Sequence, residues 1–376
     1  MASSLQGKGV AAERFPADIV VPEWCAAADR FLIAAAKEIR LLSAVTPLNG
    51  REERERLSQA FEANETLAPR WTYATSNLGE LGLALTRLAD EIVSENSALA
   101  PLYAERAREM AVEAALVSNV GTSAFGKLAA HRFVESAALR EQATRLAQRW
   151  IDAAEVAEVT DNASPVPASL LLDEMRAAVG RLRLPFTVSS DPHMAALAAT
   201  GEHTIYVSTD AVMTARDVER TVLHETLGHA APRHRATSQP LGLFRIGTAR
   251  GADHQEGYAL LLEERHHLLD LPRKRELALR HLAAVAMEQG ATFHDLVELL
   301  HDYDLGTVRS VAIASRIYRG SNGAERGLGR ERSYLEAYVA VSDLLSREPD
   351  SESVLASGQI ATGAVPVLRE FISHRS

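Results

Sequence analysis

Residues 204–229 read TIYVSTDAVMTARDVERTVLHETLGH, and a change of period inside this stretch decides the architecture. Thr204-Ile205-Tyr206-Val207-Ser208 alternates along the chain as a half-buried strand does. After it the pattern becomes helical. Thr214 is a good N-cap, and Asp217 at the third helical position completes a capping box. The helix then runs into His224-Glu225-Thr226-Leu227-Gly228-His229. Two imidazoles can bind a metal while the glutamate beside them activates water. The familiar spacing for that chemistry separates the histidines by four residues, about 40° around a helix. Here they are five apart, about 140°. Either the pair is fortuitous or the backbone departs from an α-helix. A one-residue π-bulge, or a helix that ends at Gly228, would bring both rings to one side.

Working outward, Asp253-His254-Gln255-Glu256 reads as the opening of a second helix, with a cap at Asp253. A catalytic zinc takes three protein ligands, and Glu256 lies within chain reach as the third. Glu263, two turns on, could orient a ligand from behind. Pro185-Phe186-Thr187-Val188-Ser189 reads as another strand, after a helix over 168–179. The first 160 residues are helical in period. Phe31, Leu32, Ala35, Ile39 and Leu42 share one face, and Leu81, Leu85, Leu88 and Ile92 another. The expected fold is α+β, predominantly α-helical and zincin-like, with a small sheet preceding the active-site helix. Its divisions are an N-terminal helical subdomain over 1–160 and a catalytic region over 161–376, forming one compact unit. Their junction is Asn162-Ala163-Ser164-Pro165-Val166-Pro167. The glycines at 320, 323, 327 and 329 mark a mobile loop.

Composition excludes several classes. The chain has 376 residues, a net charge of −10 and a single cysteine. One thiol rules out a disulfide framework or a thiolate-rich zinc site. The acidic balance lacks the basic stripe of a nucleic-acid binder. No apolar run is long enough to span a membrane, and the start has no signal-peptide core. A cytoplasmic location is the expectation.

The motif pair His224-Glu225-Thr226-Leu227-Gly228-His229 and Gln255-Glu256-Gly257-Tyr258-Ala259 resembles the signature of the family named for its Gln-Glu-Gly-Leu-Ala motif. Its bacterial members carry the label flavohemoglobin expression-modulating. Its animal relatives are the microtubule-associated tyrosine carboxypeptidases, zinc enzymes that remove the C-terminal tyrosine of α-tubulin. Gln239-Pro240-Leu241, Arg316-Ile317-Tyr318-Arg319-Gly320, the run from Leu328-Gly329-Arg330-Glu331 to Tyr334-Leu335, and Pro69-Arg70-Trp71-Thr72-Tyr73 are similar to further family segments. Tyr258 stands where leucine is usual, and Arg330-Glu331 where lysine and aspartate are.

The resemblance implies zinc held by His224, His229 and Glu256, with Glu225 as general base. The expected reaction is hydrolysis of the C-terminal bond of a peptide or protein substrate. Tyr334 is the candidate donor to the developing oxyanion, with Tyr258 as the alternative. Arg316, Arg319 and Arg330 are candidates to grip the terminal carboxylate. The strand at 204–208 could offer an edge for an extended peptide. His234, His254, His266 and His267 are set aside as ligands. Two rivals remain. Dipeptidyl peptidase III carries a similar His-Glu-Leu-Leu-Gly-His hexapeptide and would release an N-terminal dipeptide. A non-catalytic, zinc-binding regulatory module would have no use for Glu225.

Overall fold

A sheet too small to be a core by itself leans on a large helical body, and the motif helix runs along their junction. The computed structural model describes residues 21–157, 164–192, 194 and 196–372. The start of the chain and residues 158–163, part of the expected junction, lie outside the described residues. Within that junction Pro165–Val166 forms strand β1. It pairs antiparallel with β5, Met213–Thr214. The other three strands are β2 (Thr187–Asp191), β3 (Ala198–Thr200) and β4 (Thr204–Ser208), in spatial order β2-β4-β3. β4 runs parallel to β2 and antiparallel to β3. The fold is therefore α+β and predominantly helical, as its periodicity indicates.

Several boundaries differ from the sequence reading. β2 starts two residues later than expected, because Leu184 still bonds back to Val179 at the preceding helix end and Pro185 offers no N–H to a ladder. β4 sits between two partners, so it has no free edge. Among the described residues the outer strands are β2 and β3, and the one beside the motif helix is β3, a strand of three residues that is too short to leave a periodic trace. The helix Glu23–Glu38 buries Leu32 and Ala35 as expected but stops before Leu42, which is 45% exposed. The second motif helix spans Gly251–Arg265, two residues earlier than read. Its cap position is Arg250 in the left-handed region, and Asp253 does not cap. The Asp253 carboxylate is buried and paired instead with Arg132 and Arg250.

The main hydrophobic cluster draws on both ends of the chain. Leu57, Leu85 and Met110 from the first third share it with Phe244 from the middle third and Leu260, Phe293 and Leu335 from the last. A second, smaller cluster joins the sheet to two helices through Leu171, Met175, Ile205, Val207, Met213 and Val218. Alternation explains the sheet's share, since Ile205 and Val207 point into this cluster while Tyr206 faces solvent. The expected glycine loop is pinned from both sides. Leu328 and Gly329 donate back to the Arg319 and Ile317 carbonyls, and Gly320 N–H donates to the Tyr73 hydroxyl. Pro69 packs against Gly323, so the early Pro-Arg-Trp-Thr-Tyr segment braces this loop. Among the described residues no helix is long and apolar enough to cross a membrane.

Candidate functional site

The capping box at Thr214 and Asp217 is formed in both directions and starts the helix Ala215–Leu223. At His224 the backbone widens into a π-helix, His224–Ala230, and returns to α-helix over Ala231–Ala236. Of the two distortions that could reconcile a five-residue spacing with one metal, the chain uses the π-turn. A π-helix bonds i to i+5, so residues five apart stack on the same side. His224 Nε2 and His229 Nε2 are accordingly 3.1 Å apart. Gly228 permits close packing beneath them: a Cβ there would stand 2.6 Å from the Ala259 Cβ of the second motif helix. On the other face of that helix, Gly257 admits the backbone of Ala337.

These contacts press the second helix against the π-turn and deliver Glu256. Its Oε2 lies 3.3 Å from His224 Nε2 and 3.6 Å from His229 Nε2. Each ring is anchored from behind. His224 Nδ1 is 2.7 Å from Glu263 Oε1, and His229 Nδ1 is 2.9 Å from Gln255 Oε1. Both partners are acceptors there, so each Nδ1 can keep a proton, and a bound cation would take the Nε2 of each ring. Arg330 Nη2 donates to Glu256 Oε1 at 3.0 Å, leaving Oε2 for the histidines. Burial alone would raise the Glu256 pKa. The charge of His229, hydrogen bonds from both histidines and the charge of Arg330 instead hold it well below the usual range. Glu225 completes the group: its carboxylate and the two histidines offer ligand atoms within 4.8 Å of one another. His224, His229 and Glu256 could hold a metal, with Glu225 beside them.

The other named residues fall in different places. Tyr334 is buried, with its ring flanked by the guanidinium of Arg280 at 4.7 Å and of Arg330 at 5.5 Å. Arg330 thus joins Tyr334 to Glu256. Tyr258, two positions past Glu256 and so about 200° around the helix, turns away and donates to Glu352. Among the arginines, Arg330 is spent on Glu256 and Asp253, and Arg316 on Glu331, which Arg280 also holds. Arg319 is different. Its Nε and Nη2 are shielded from solvent with no hydrogen-bond partner. Burial pulls its pKa down to about 10, against the pull of Glu331. His254 is occupied by Glu135 and the Thr362 N–H, while His234, His266 and His267 are exposed.

Three residues of the site escaped the sequence reading. Gln255, beside the third ligand candidate, anchors His229 through its Oε1. Thr200, on β3, donates from Oγ1 to Glu225 Oε2 at 2.7 Å. Arg233 follows His229 by four, one helical turn, which was the available signal. Its Nε is buried without a hydrogen bond, and the carboxylates that act on it are Glu225, Glu202 and Glu256.

Side chains able to bind a cation, move a proton and receive an extended chain converge beside one sheet edge, the layout of a peptidase-type enzyme. The family model for the microtubule-associated tyrosine carboxypeptidases matches residues 58–375, and the chain belongs to that family. Membership makes it an enzyme of carboxypeptidase type. No curated protein matches the chain.

Proposed function

We propose that the protein is a zinc-dependent metallocarboxypeptidase that removes the C-terminal residue of a peptide or protein. One observation carries this reading. The three donor atoms of His224, His229 and Glu256 form a triangle with sides of 3.1, 3.3 and 3.6 Å. Two ligands of a tetrahedral zinc, each about 2.1 Å from the ion, stand about 3.4 Å apart. The triangle therefore fits one face of a zinc tetrahedron, and Glu263 and Gln255 hold it in that shape.

A bound zinc would supply Lewis-acid polarisation of the scissile carbonyl and acidify water. The chain's own groups do the rest. Glu225, with Oε2 held by Thr200, accepts a proton from the attacking water through its other oxygen and returns it to the leaving amine. Tyr334, between two guanidinium groups, is the donor assigned to the developing oxyanion. Arg319 receives the terminal carboxylate, because its guanidinium alone in that cluster has two buried N–H groups without acceptors. The extended substrate pairs with β3, the free edge beside Glu225. Tyrosine as the residue removed, and microtubules as the site of action, belong to the family's name and are not carried over.

Metal analysis together with mass spectrometry of a treated peptide library tests the proposal. The expected result is about one zinc per chain, loss of single C-terminal residues, and no hydrolysis after chelation. Glu225→Gln should keep the metal and lower kcat by about 10²- to 10⁴-fold. Release of N-terminal dipeptides would support the dipeptidyl peptidase rival. A Glu225→Gln variant as active as the parent would leave a non-catalytic binding module.

A further inference from the structure

Among the described residues β3 pairs with a strand on one side only. Ser208 N–H donates to the Leu197 carbonyl and Gly201 N–H to the Thr204 carbonyl, with Thr200 opposite Ile205. In an antiparallel ladder the hydrogen-bonding groups alternate in direction along each strand. Leu197, Ala199 and Gly201 therefore address β4, while the N–H and C=O of Ala198 and Thr200 point outward from the sheet. Thr200 is also the residue whose hydroxyl reaches Glu225, at 2.7 Å from Oε2 and 3.2 Å from the backbone carbonyl. A hydroxyl has one hydrogen to give, and the shorter contact is to the carboxylate. A single residue thus offers its backbone to the edge and its side chain to the glutamate.

We propose that Thr200 is a positioning residue that couples the seating of an extended peptide on β3 to the orientation of Glu225. This rests on the reading of Glu225 as the general base. A peptide strand that bonds to the Thr200 backbone fixes its φ and ψ, and with them the Cα–Cβ direction and the narrow choice of rotamer that aims its hydroxyl. That hydroxyl fixes Oε2 of Glu225 and leaves Oε1 for the attacking water. Binding energy gathered along the strand is in this way spent on orientation at the reacting centre. The consequence is that longer substrates gain in kcat and not merely in KM.

The test compares Thr200→Val, which keeps the shape and removes the donor, with Thr200→Ser, which keeps the donor. Both are studied as full-length, zinc-loaded protein on a hexapeptide and a blocked dipeptide sharing the same C-terminal pair. Thr200→Val should lower hexapeptide kcat about 10- to 100-fold, a part of the roughly 10²- to 10⁴-fold that a positioned general base contributes. Its KM and zinc content should stay within about twofold. The kcat advantage of hexapeptide over dipeptide should vanish in Thr200→Val and persist in Thr200→Ser. Equal losses in both variants, or a Thr200→Val kcat at the parental level, would overturn the proposal. Glu225→Gln separates the two readings. If it remains active, the base assignment fails and this inference with it. If it is inactive while Thr200→Val is fully active, only the role of Thr200 is lost.

Discussion

Arg319 sits among charges that are otherwise spoken for. Arg280 and Arg316 share Glu331, and Arg330 is divided between Glu256 and Asp253. Two buried N–H groups of Arg319 have no acceptor, a state that costs about 1–3 kcal/mol per group until one arrives. A substrate carboxylate would satisfy both as a bidentate pair. Arg319→Gln should therefore raise KM for peptide acids at least tenfold while hardly moving that of the matching C-terminal amides. Assays of acid and amide pairs check this, and an equal loss on both would assign Arg319 a structural role. Arg330→Gln should behave differently. It frees Glu256 Oε1, so zinc affinity, read by competition with a chelator, should fall about 10- to 100-fold. At this scale the sequence spoke through residue types with few alternative uses, His224, Glu225, His229 and Glu256. It was silent on Thr200 and Gln255, whose roles arise only when β3 and the second motif helix meet the π-turn. It also could not rank three arginines whose difference lies in which carboxylates lie opposite them.

The π-turn is an element-scale device. A one-residue surplus between the histidines converts i,i+5 neighbours into facing ligands, and Gly228 lets the second motif helix come close enough to supply Glu256. The need for a distortion was legible, because 140° cannot close on one ion. The choice between a π-turn and a terminated helix was not, since it depends on α-helix resuming at Ala231. Gly228→Ala should force the Cβ atoms of residues 228 and 259 apart from 2.6 Å, a contact no packed pair tolerates. The expected loss is about 1–3 kcal/mol of stability. Zinc affinity should weaken as well, because Glu256 rides on the displaced helix. Ala259→Gly removes the opposing methyl, so the double variant should recover zinc affinity more than stability, glycine within a helix costing about 1 kcal/mol. Chelator competition and thermal melts on the four proteins of the cycle check this. Additive zinc losses would show that the two helices do not press on each other here.

Across the whole molecule the helix Ser333–Arg347 binds the C-terminal third to the second motif helix, and it carries an ionisable group in an uncomfortable place. Glu336 is fully buried, and neither carboxylate oxygen makes a hydrogen bond. Arg332 Nε lies 2.8 Å from Oε1 but is not aimed to donate. Burial raises the Glu336 pKa to about 7. Arg332 opposes the rise, Glu135 adds to it, and Arg250 and Arg140 oppose it. The usual linkage of a paired carboxylate is thereby reversed. The unfolded chain releases this proton near 4.5, whereas the folded chain keeps it to about 7. Between those values the native state binds more protons, so stability declines as pH rises through the window and is level above it. A shift of this size corresponds to about 3 kcal/mol. Glu336→Gln keeps the neutral shape at every pH. Relative to the parent it should gain stability from pH 5 to about pH 7, by up to that amount, and level off by pH 8. Urea denaturation of the chelated protein at pH 5, 6, 7 and 8 measures the difference while other titrating groups, such as the buried His281 with its pKa lowered to about 4, cancel between the two proteins. Parallel stability profiles would mean that the Arg332 charge dominates and Glu336 is ionised throughout.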